Sequence, residues 1–178
     1  MIYLKAVLLF SVLILGACKC RSNLPPIRTA ESVDLSRFVG DWYVIGNIPT
    51  FIETEAYNAV ESYEAPVNGK IATTFTFNKG SLTGPEKVYQ PTGFVTEGTG
   101  NAVWGMQFIW PIKAEYRIVY ISEEYDLTIV GRTKRDYVWI MARQPDISDS
   151  DYAMLMQIVE EEGYDLDKVR RVPHSASR

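Results

Sequence analysis

The sequence has a single histidine, two cysteines and no excess of positive charge. The histidine is His174, near the end of the chain, so the inventory excludes a His-based zinc site and a Ser-His-Asp triad within the domain. Both cysteines, Cys18 and Cys20, precede the predicted folded region, so we expect no disulfide inside it. The net charge of −4 offers no basic face for nucleic acid. We therefore expect no metal, no cofactor and no catalytic residue, and we predict that the protein is not an enzyme.

Aromatic residues make up 12% of the 178-residue chain, and they are spread over short alternating segments. Turn residues separate these segments, and Asn68-Gly69 is a strong hairpin signal. The length suits one domain with a sizeable core. We predict an all-β fold, an eight-stranded antiparallel up-and-down β-barrel wide enough for one small ligand. Its strands are expected at residues 42–49, 56–64, 70–78, 86–97, 102–109, 115–122, 127–133 and 137–143.

The pattern changes from period two to helical spacing after the last predicted strand. Ser148 is suited to cap a helix together with Asp151, and Gly163 supplies a stop. We predict one C-terminal α-helix over residues 149–162, packed on the outside of the barrel because no second helix is available to it. A short strand is expected within residues 166–172, and residues 173–178 are expected to form a loose tail.

The N-terminal residues are typical of an export signal. An apolar run over residues 6–17 follows Lys5, and it is shorter than the roughly 20 residues that a membrane-spanning helix needs. Leu15-Gly16-Ala17-Cys18 resembles the bacterial lipobox, which implies cleavage before Cys18 and acylation of that residue. We therefore expect a signal peptide over residues 1–17 and a lipidated tether over residues 18–33. For Cys20, a tolerated residue in the tether and an intermolecular bridge both remain open.

Two motifs at the ends of the predicted barrel indicate a family. Gly40-Asp41-Trp42 begins the first strand, and residues 136–143, Asp-Tyr-Val-Trp-Ile-Met-Ala-Arg, form the last. With a following proline, a helix and an upstream lipobox, the chain resembles the lipocalin family over residues 34–172. The resemblance extends most closely to its bacterial outer-membrane branch and the similar apolipoprotein D. It implies that Gly40, Trp42 and Arg143 are structural, with Trp42 closing one end of the barrel under the Arg143 side chain.

The inward side of each strand is assigned from this resemblance, because alternation alone cannot separate inside from outside. Beside the candidate ligand contacts, Val95, Tyr120, Tyr137 and Met141 are also expected to face inward. Such an apolar and aromatic lining suits an acyl chain. For Glu61 three interpretations stay open: a place at the wet mouth, a pair with a ligand cation, or a wrong assignment of that strand's faces. The candidate ligand-binding residues are Glu61, Tyr63, Gly93, Trp104, Met106, Phe108, Tyr116, Ile118 and Trp139.

The resemblance implies a lipid-binding function. We expect a lipid-anchored protein of the outer membrane, because Lys19 follows Cys18 in place of the Asp that is usual for retention in the inner membrane. We expect it to face the periplasm. It would bind or carry fatty acids or lysophospholipids and help maintain the envelope. Two alternatives remain: a binder of another apolar ligand such as a pigment, a retinoid-like molecule or haem, and a dimeric envelope module with a filled barrel. In the second alternative Phe51, Ile52 and Trp110 would form the contact.

Overall fold

Antiparallel strands account for most of the chain in the computed structural model, which describes residues 24–175. Two helices flank them, α1 (Leu35–Phe38) and α2 (Asp149–Glu161), and a 3₁₀ turn covers Leu166–Lys168. The strands are β1 (Gly40–Ile48), β2 (Ala56–Tyr63), β3 (Lys70–Lys79), β4 (Glu86–Tyr89), β5 (Thr92–Val95), β6 (Val103–Ile109), β7 (Ile112–Ile121), β8 (Leu127–Gly131), β9 (Val138–Ala142) and β10 (Arg170–Arg171).

The strands pair in chain order and close into a barrel when β9 returns to β1. The segment predicted at 86–97 is split at Pro91, which has no N–H for the ladder, into β4 and β5. Both pieces pair with β3, so together they make one side of the barrel. β10 pairs with β1 at Gly46 and Asn47, beyond the residues of β1 that pair with β2. The predicted eight-stranded up-and-down barrel is therefore confirmed.

One end of the barrel is closed by the motif residues. Trp42 is fully buried, and its indole donates a hydrogen bond to the carbonyl of Phe38 over 2.8 Å. The guanidinium of Arg143 lies 3.9 Å above the Trp42 ring and donates to the carbonyls of residues 37, 38, 39 and 41. Gly40 has φ +95°, a conformation that favours glycine, where the chain turns from α1 into β1. These contacts place the open end of the barrel opposite Trp42.

Helix α2 packs on the outside of the barrel, as expected. Ser148 accepts a hydrogen bond from the Asp151 N–H over 3.0 Å, which satisfies one free donor of the first turn. Leu155 and Val159 are fully buried in a cluster with outward-facing residues such as Ile129 and Ile140. A second, inner cluster fills the closed end of the barrel. The barrel wall thus separates two apolar cores.

The segments on either side of the predicted barrel are packed where the structure describes them. Residues 24–33, expected within the tether, run along the barrel: Val33 is 1% exposed, and the Ala30 N–H donates to the Ile118 carbonyl over 2.9 Å. In the tail, expected to be loose, His174 Nε2 lies 2.9 Å from the Val44 carbonyl. The signal peptide, Cys18 and Cys20 lie outside the described residues. Within residues 24–175, no helix has the length and apolar character needed to cross a membrane.

Candidate ligand-binding cavity

A cavity of about 360 Å³ opens at the end of the barrel opposite Trp42. Side chains from most strands of the barrel line it, and the loop between β1 and β2 lies over its mouth. Five of the nine candidate ligand contacts lie in its wall: Glu61, Met106, Phe108, Tyr116 and Trp139. The other four do not line the cavity: Tyr63, Gly93, Trp104 and Ile118.

The aromatic members of this second group fill the barrel below the cavity. Trp104 and Tyr63 are nearly fully buried beside Phe38, with ring centroids 5.5 Å and 5.3 Å from it. Trp104 also stacks on Tyr116, with centroids 5.0 Å apart. Ile118 is buried in the same inner cluster. Their strand faces were assigned correctly, but these residues form the floor under the cavity.

The space beside the Gly93 backbone is filled by side chains of the protein itself and does not admit a ligand. A Cβ atom at this position would lie 3.3 Å from Cε3 of Trp104 and 3.6 Å from Cβ of Ile71. The space beside Gly93, a candidate ligand contact, is therefore occupied by Trp104.

The alternation of β7 changes within the strand. The pairing of β7 with β8 shifts register between Ile118 and Tyr120. Val119 and Tyr120 both pack with the outer cluster, under α2, whereas Ile121 packs against the inner one. The expectation that Tyr120 faces inward is wrong, because a bulge inserts an extra residue and reverses the faces that follow it. Val95, Tyr137, Trp139 and Met141 do face the interior or line the cavity.

A buried carboxyl group lies at the floor of the cavity. Glu61 is 8% exposed, and its Oε2 accepts a hydrogen bond from the Tyr63 hydroxyl, which lies 2.5 Å from the Tyr116 hydroxyl. Burial raises the pKa of Glu61 to about 7 from its usual 4.5; the Tyr63 hydrogen bond opposes this, and the nearby charge of Glu53 adds to it. Burial also raises the pKa values of both tyrosines well above 10.0. The structure thus places Glu61 facing the cavity at its base, away from the wet mouth.

A second buried carboxyl group fixes the loop at the mouth. Glu53 is 3% exposed and accepts hydrogen bonds from Asn47 Nδ2 at 2.9 Å, Thr50 Oγ1 at 2.6 Å and Trp139 Nε1 at 2.8 Å. Burial raises its pKa, although these three hydrogen bonds lower it. Arg170 donates to the Glu53 carbonyl as well. Sequence reasoning missed this network, since a glutamate between loop residues gives no sign of burial.

The wall formed by β3 was also missed. Ile71, Thr73, Phe75 and Phe77 alternate with exposed or half-buried residues, and Thr73 and Phe75 line the cavity. This alternation is visible in the sequence and could have identified them. At the mouth, Arg132 lines the cavity with its side chain 17% exposed. Its Nη1 donates to Asp136 over 3.3 Å, and its buried Nε has no hydrogen-bond partner within residues 24–175.

The rim around the mouth is apolar and exposed. Four large hydrophobic residues there are mostly accessible to solvent: Phe51 (85%), Ile109 (71%), Trp110 (82%) and Ile112 (68%). Phe51, Ile109 and Ile112 also line the cavity, and so does Ile52, which is less exposed. A hydrophobic rim of this kind is uncommon on the free surface of a monomer and is typical of a contact surface.

Comparison with known proteins gives consistent results for sequence and structure. The model of a lipocalin-like domain matches residues 33–174. The outer membrane lipoprotein Blc of Citrobacter freundii is 27% identical over 154 residues, covering 84% of this chain and 85% of that protein. Temperature-induced lipocalin-1 of Arabidopsis thaliana is 22% identical over 157 residues, covering 84% and 83%. The structure of insecticyanin from the tobacco hornworm Manduca sexta aligns with a TM-score of 0.68 at 14% identity, covering 86% of this chain and 87% of that one, which indicates a shared fold.

Proposed function

Because this chain belongs to the lipocalin family, whose members in general bind or transport small hydrophobic molecules and are not enzymes, we propose that it binds a fatty acid or a lysophospholipid in its barrel cavity. The observation that carries the proposal is the cavity of about 360 Å³, open at one end and lined mainly by apolar and aromatic side chains. If each carbon of a chain takes up about 30 Å³, the volume of a water molecule, the cavity holds about twelve carbons. Each methylene buried there contributes about 0.8 kcal/mol.

The mouth offers a place for the head group. The Arg132 side chain is 17% exposed and lines the cavity, and its guanidinium lies 5.2 Å from the centre of the Tyr137 ring. Carboxylate and phosphate are the groups that a guanidinium pairs with best. A fatty acid or lysophospholipid would therefore lie with its chain in the barrel and its anionic group near Arg132.

The cellular setting in the proposal is the outer membrane. The chain would be anchored through acylated Cys18 and face the periplasm, where it would carry or store lipids for envelope maintenance. The lipobox-like sequence before Cys18 supports this, and so do relatives named outer membrane lipoproteins. Incorporation of labelled palmitate into the wild-type protein, but not into Cys18→Ser, tests the anchor. Labelling of both proteins would contradict it.

The binding proposal is tested by a cavity-filling substitution. Ala114 lies in the cavity wall, whereas Ala153 lies on the exposed side of α2. We expect Ala114→Phe to weaken the binding of a fluorescent fatty acid at least tenfold because the ring occupies the chain's space. Ala153→Phe is the control and should bind like the wild type.

Solvent extraction of the purified protein followed by mass spectrometry should identify the lipid. Absence of any extracted lipid, together with no binding of the fluorescent acid, would overturn the proposal.

The apolar rim favours a second candidate function, a homodimer that joins through the mouth. Trp110 and Phe51 are the most exposed large hydrophobic residues among those described. Sedimentation velocity at increasing protein concentration measures self-association directly. A dimer that dissociates in Trp110→Ser would support this candidate, and a wild-type protein that stays monomeric at all concentrations would exclude it.

A further inference from the structure

The floor of the cavity holds a polar atom that lacks a partner. Glu61 is nine-tenths buried and lines the cavity. Its Oε2 accepts from Tyr63, whereas its Oε1 has no hydrogen-bond partner among residues 24–175. Among residues 24–175 the fully buried side-chain atoms without a partner are Arg132 Nε and Asp136 Oδ1, so Glu61 Oε1 is still accessible from the cavity. A ligand that covered this oxygen without offering a hydrogen bond would displace water and give nothing in exchange, which is unfavourable.

The neighbouring tyrosines cannot satisfy that oxygen. Each hydroxyl has a single proton, and the Tyr63 proton is donated to Glu61 Oε2. The 2.5 Å contact between the two hydroxyls therefore uses the proton of Tyr116. The Tyr116 hydroxyl therefore donates to the Tyr63 hydroxyl, which in turn donates to Glu61 Oε2. Of the other side chains in the cavity wall, Phe75 and Met106 are apolar, and the Thr73 hydroxyl lies 3.4 Å from the Ile71 carbonyl. Glu61 Oε1 is left for the ligand.

We propose that Glu61 pairs with a hydroxyl group at the inner end of the bound chain, and so selects ω-hydroxylated acyl chains over chains that end in a methyl group. A hydroxyl both donates and accepts a hydrogen bond, so it can pair with Oε1 whether the carboxyl group is charged or neutral. A methyl end can do neither, and it would seal Oε1 in an apolar environment. This inference rests on the proposed function, since it requires an acyl chain to enter the cavity.

The test compares two ligands that differ by one hydroxyl. Dodecanoic acid and 12-hydroxydodecanoic acid compete with a fluorescent fatty acid for the wild type, for Glu61→Met and for Thr73→Val. Thr73 is the matched control because it is buried, lines the cavity and already has its hydroxyl near a backbone carbonyl. We expect the affinity ratio of hydroxy acid to plain acid to fall about tenfold or more in Glu61→Met and to stay unchanged in Thr73→Val.

The outcomes separate this inference from the proposed function. If neither acid competes, the proposed function fails and the inference fails with it. If both acids bind the wild type and Glu61→Met at the same ratio, the inference alone is overturned. Tighter binding of 12-aminododecanoic acid than of the hydroxy acid would also overturn it, because the partner of Glu61 would then be an ammonium group.

A spectroscopic measurement covers the case in which Glu61→Met does not fold. The carboxyl stretching band of Glu61 is assigned by its loss in Glu61→Gln. We expect 12-hydroxydodecanoic acid, and not dodecanoic acid, to shift this band in the wild type through the new hydrogen bond. Equal shifts with both acids, or no shift with either acid while both bind, would overturn the inference.

Discussion

Glu61 brings a titratable group into the floor of an apolar cavity, and this should make stability depend on pH. Its pKa is about 7 in the folded protein and near 4.5 when exposed. The folded state therefore holds a proton that the unfolded state releases between these values. The contribution of Glu61 to the free energy of unfolding is therefore complete below pH 4.5 and is lost as the pH rises from 4.5 through 7. The full loss is about 3 kcal/mol.

We expect Glu61→Gln to remove this part of the pH dependence. The free energy of unfolding, measured with urea between pH 5 and pH 8, should fall less steeply in the variant than in the wild type. Glu53 is also buried with a raised pKa and remains in both proteins, so the difference between the two curves reports on Glu61. Parallel curves would show that Glu61 is charged throughout this pH range in the folded protein.

Gly93 allows a direct test of whether it contacts a ligand or the protein's own core. In Gly93→Ala the new methyl group would lie 3.3 Å from Trp104, so the ring must shift by a few tenths of an ångström. We expect a loss of stability of about 1 kcal/mol with no change in fatty-acid affinity, because Trp104 and not a ligand fills the space. Urea unfolding and fluorescent fatty-acid titration measure the two effects. Weaker binding at unchanged stability would instead place Gly93 in the ligand site.

At the scale of single residues, the sequence predicts on which face of a strand a side chain lies but not how deep in the barrel it lies. Trp104 and Met106 share one face of β6, and both were predicted to face inward. Trp104 packs into the floor, while Met106 lines the cavity. The alternating pattern places both side chains on the inward face, so it cannot show where the filled part of the barrel ends and the cavity begins. That boundary depends on the summed volume of side chains from several strands.

At the scale of elements, strands that keep regular alternation are predictable and strands with bulges are not. β3 alternates without interruption, and its buried face could be identified from sequence. β7 loses its period between Ile118 and Tyr120, and the assignment failed there. A bulge adds one residue to one strand only, so its position depends on the neighbouring strand and on the helix that covers it.

Helix α2 stabilises the barrel from outside and should not affect the ligand. Leu155 is fully buried in the outer cluster, on the far side of the wall from the cavity. We expect Leu155→Ala to lower the free energy of unfolding by about 2–5 kcal/mol and to leave fatty-acid affinity unchanged where the protein is folded. Gln157→Ala, at an exposed position of the same helix, is the control and should change stability little. Reduced affinity in Leu155→Ala would mean that the outer core is coupled to the cavity.

For the whole molecule, the order of strands could be predicted because short turns join neighbours throughout. Gly40, Trp42 and Arg143 mark the two strands that meet at closure, and the structure brings them together. The packing of residues 24–33 could not be predicted. Pro25 and Pro26, with few apolar neighbours, are typical of a linker, and the partners of this segment lie far away in sequence.

This N-terminal segment should be part of the folded unit. Val33 lies in the inner cluster and Ile27 in the outer one, so the segment ties both cores together. A protein that begins at Asp34 should have a melting temperature about 10 °C below that of one that begins at Leu24, because the burial of two large side chains is lost. Calorimetry of the two proteins measures this. Equal melting temperatures would show that the segment adds nothing to stability.

The splitting of the fourth barrel strand has a consequence for the protein's behaviour at high concentration. Among residues 24–175, β4 pairs with β3 alone, so its other side carries free backbone donors and acceptors. Such an edge is a template for strand addition and fibril growth. Pro85 precedes β4, and Glu86 and Lys87 put exposed charges of both signs on it. Charged side chains and a neighbouring proline disfavour the addition of a strand from another copy, so the free edge of β4 is protected against assembly into a continuous sheet.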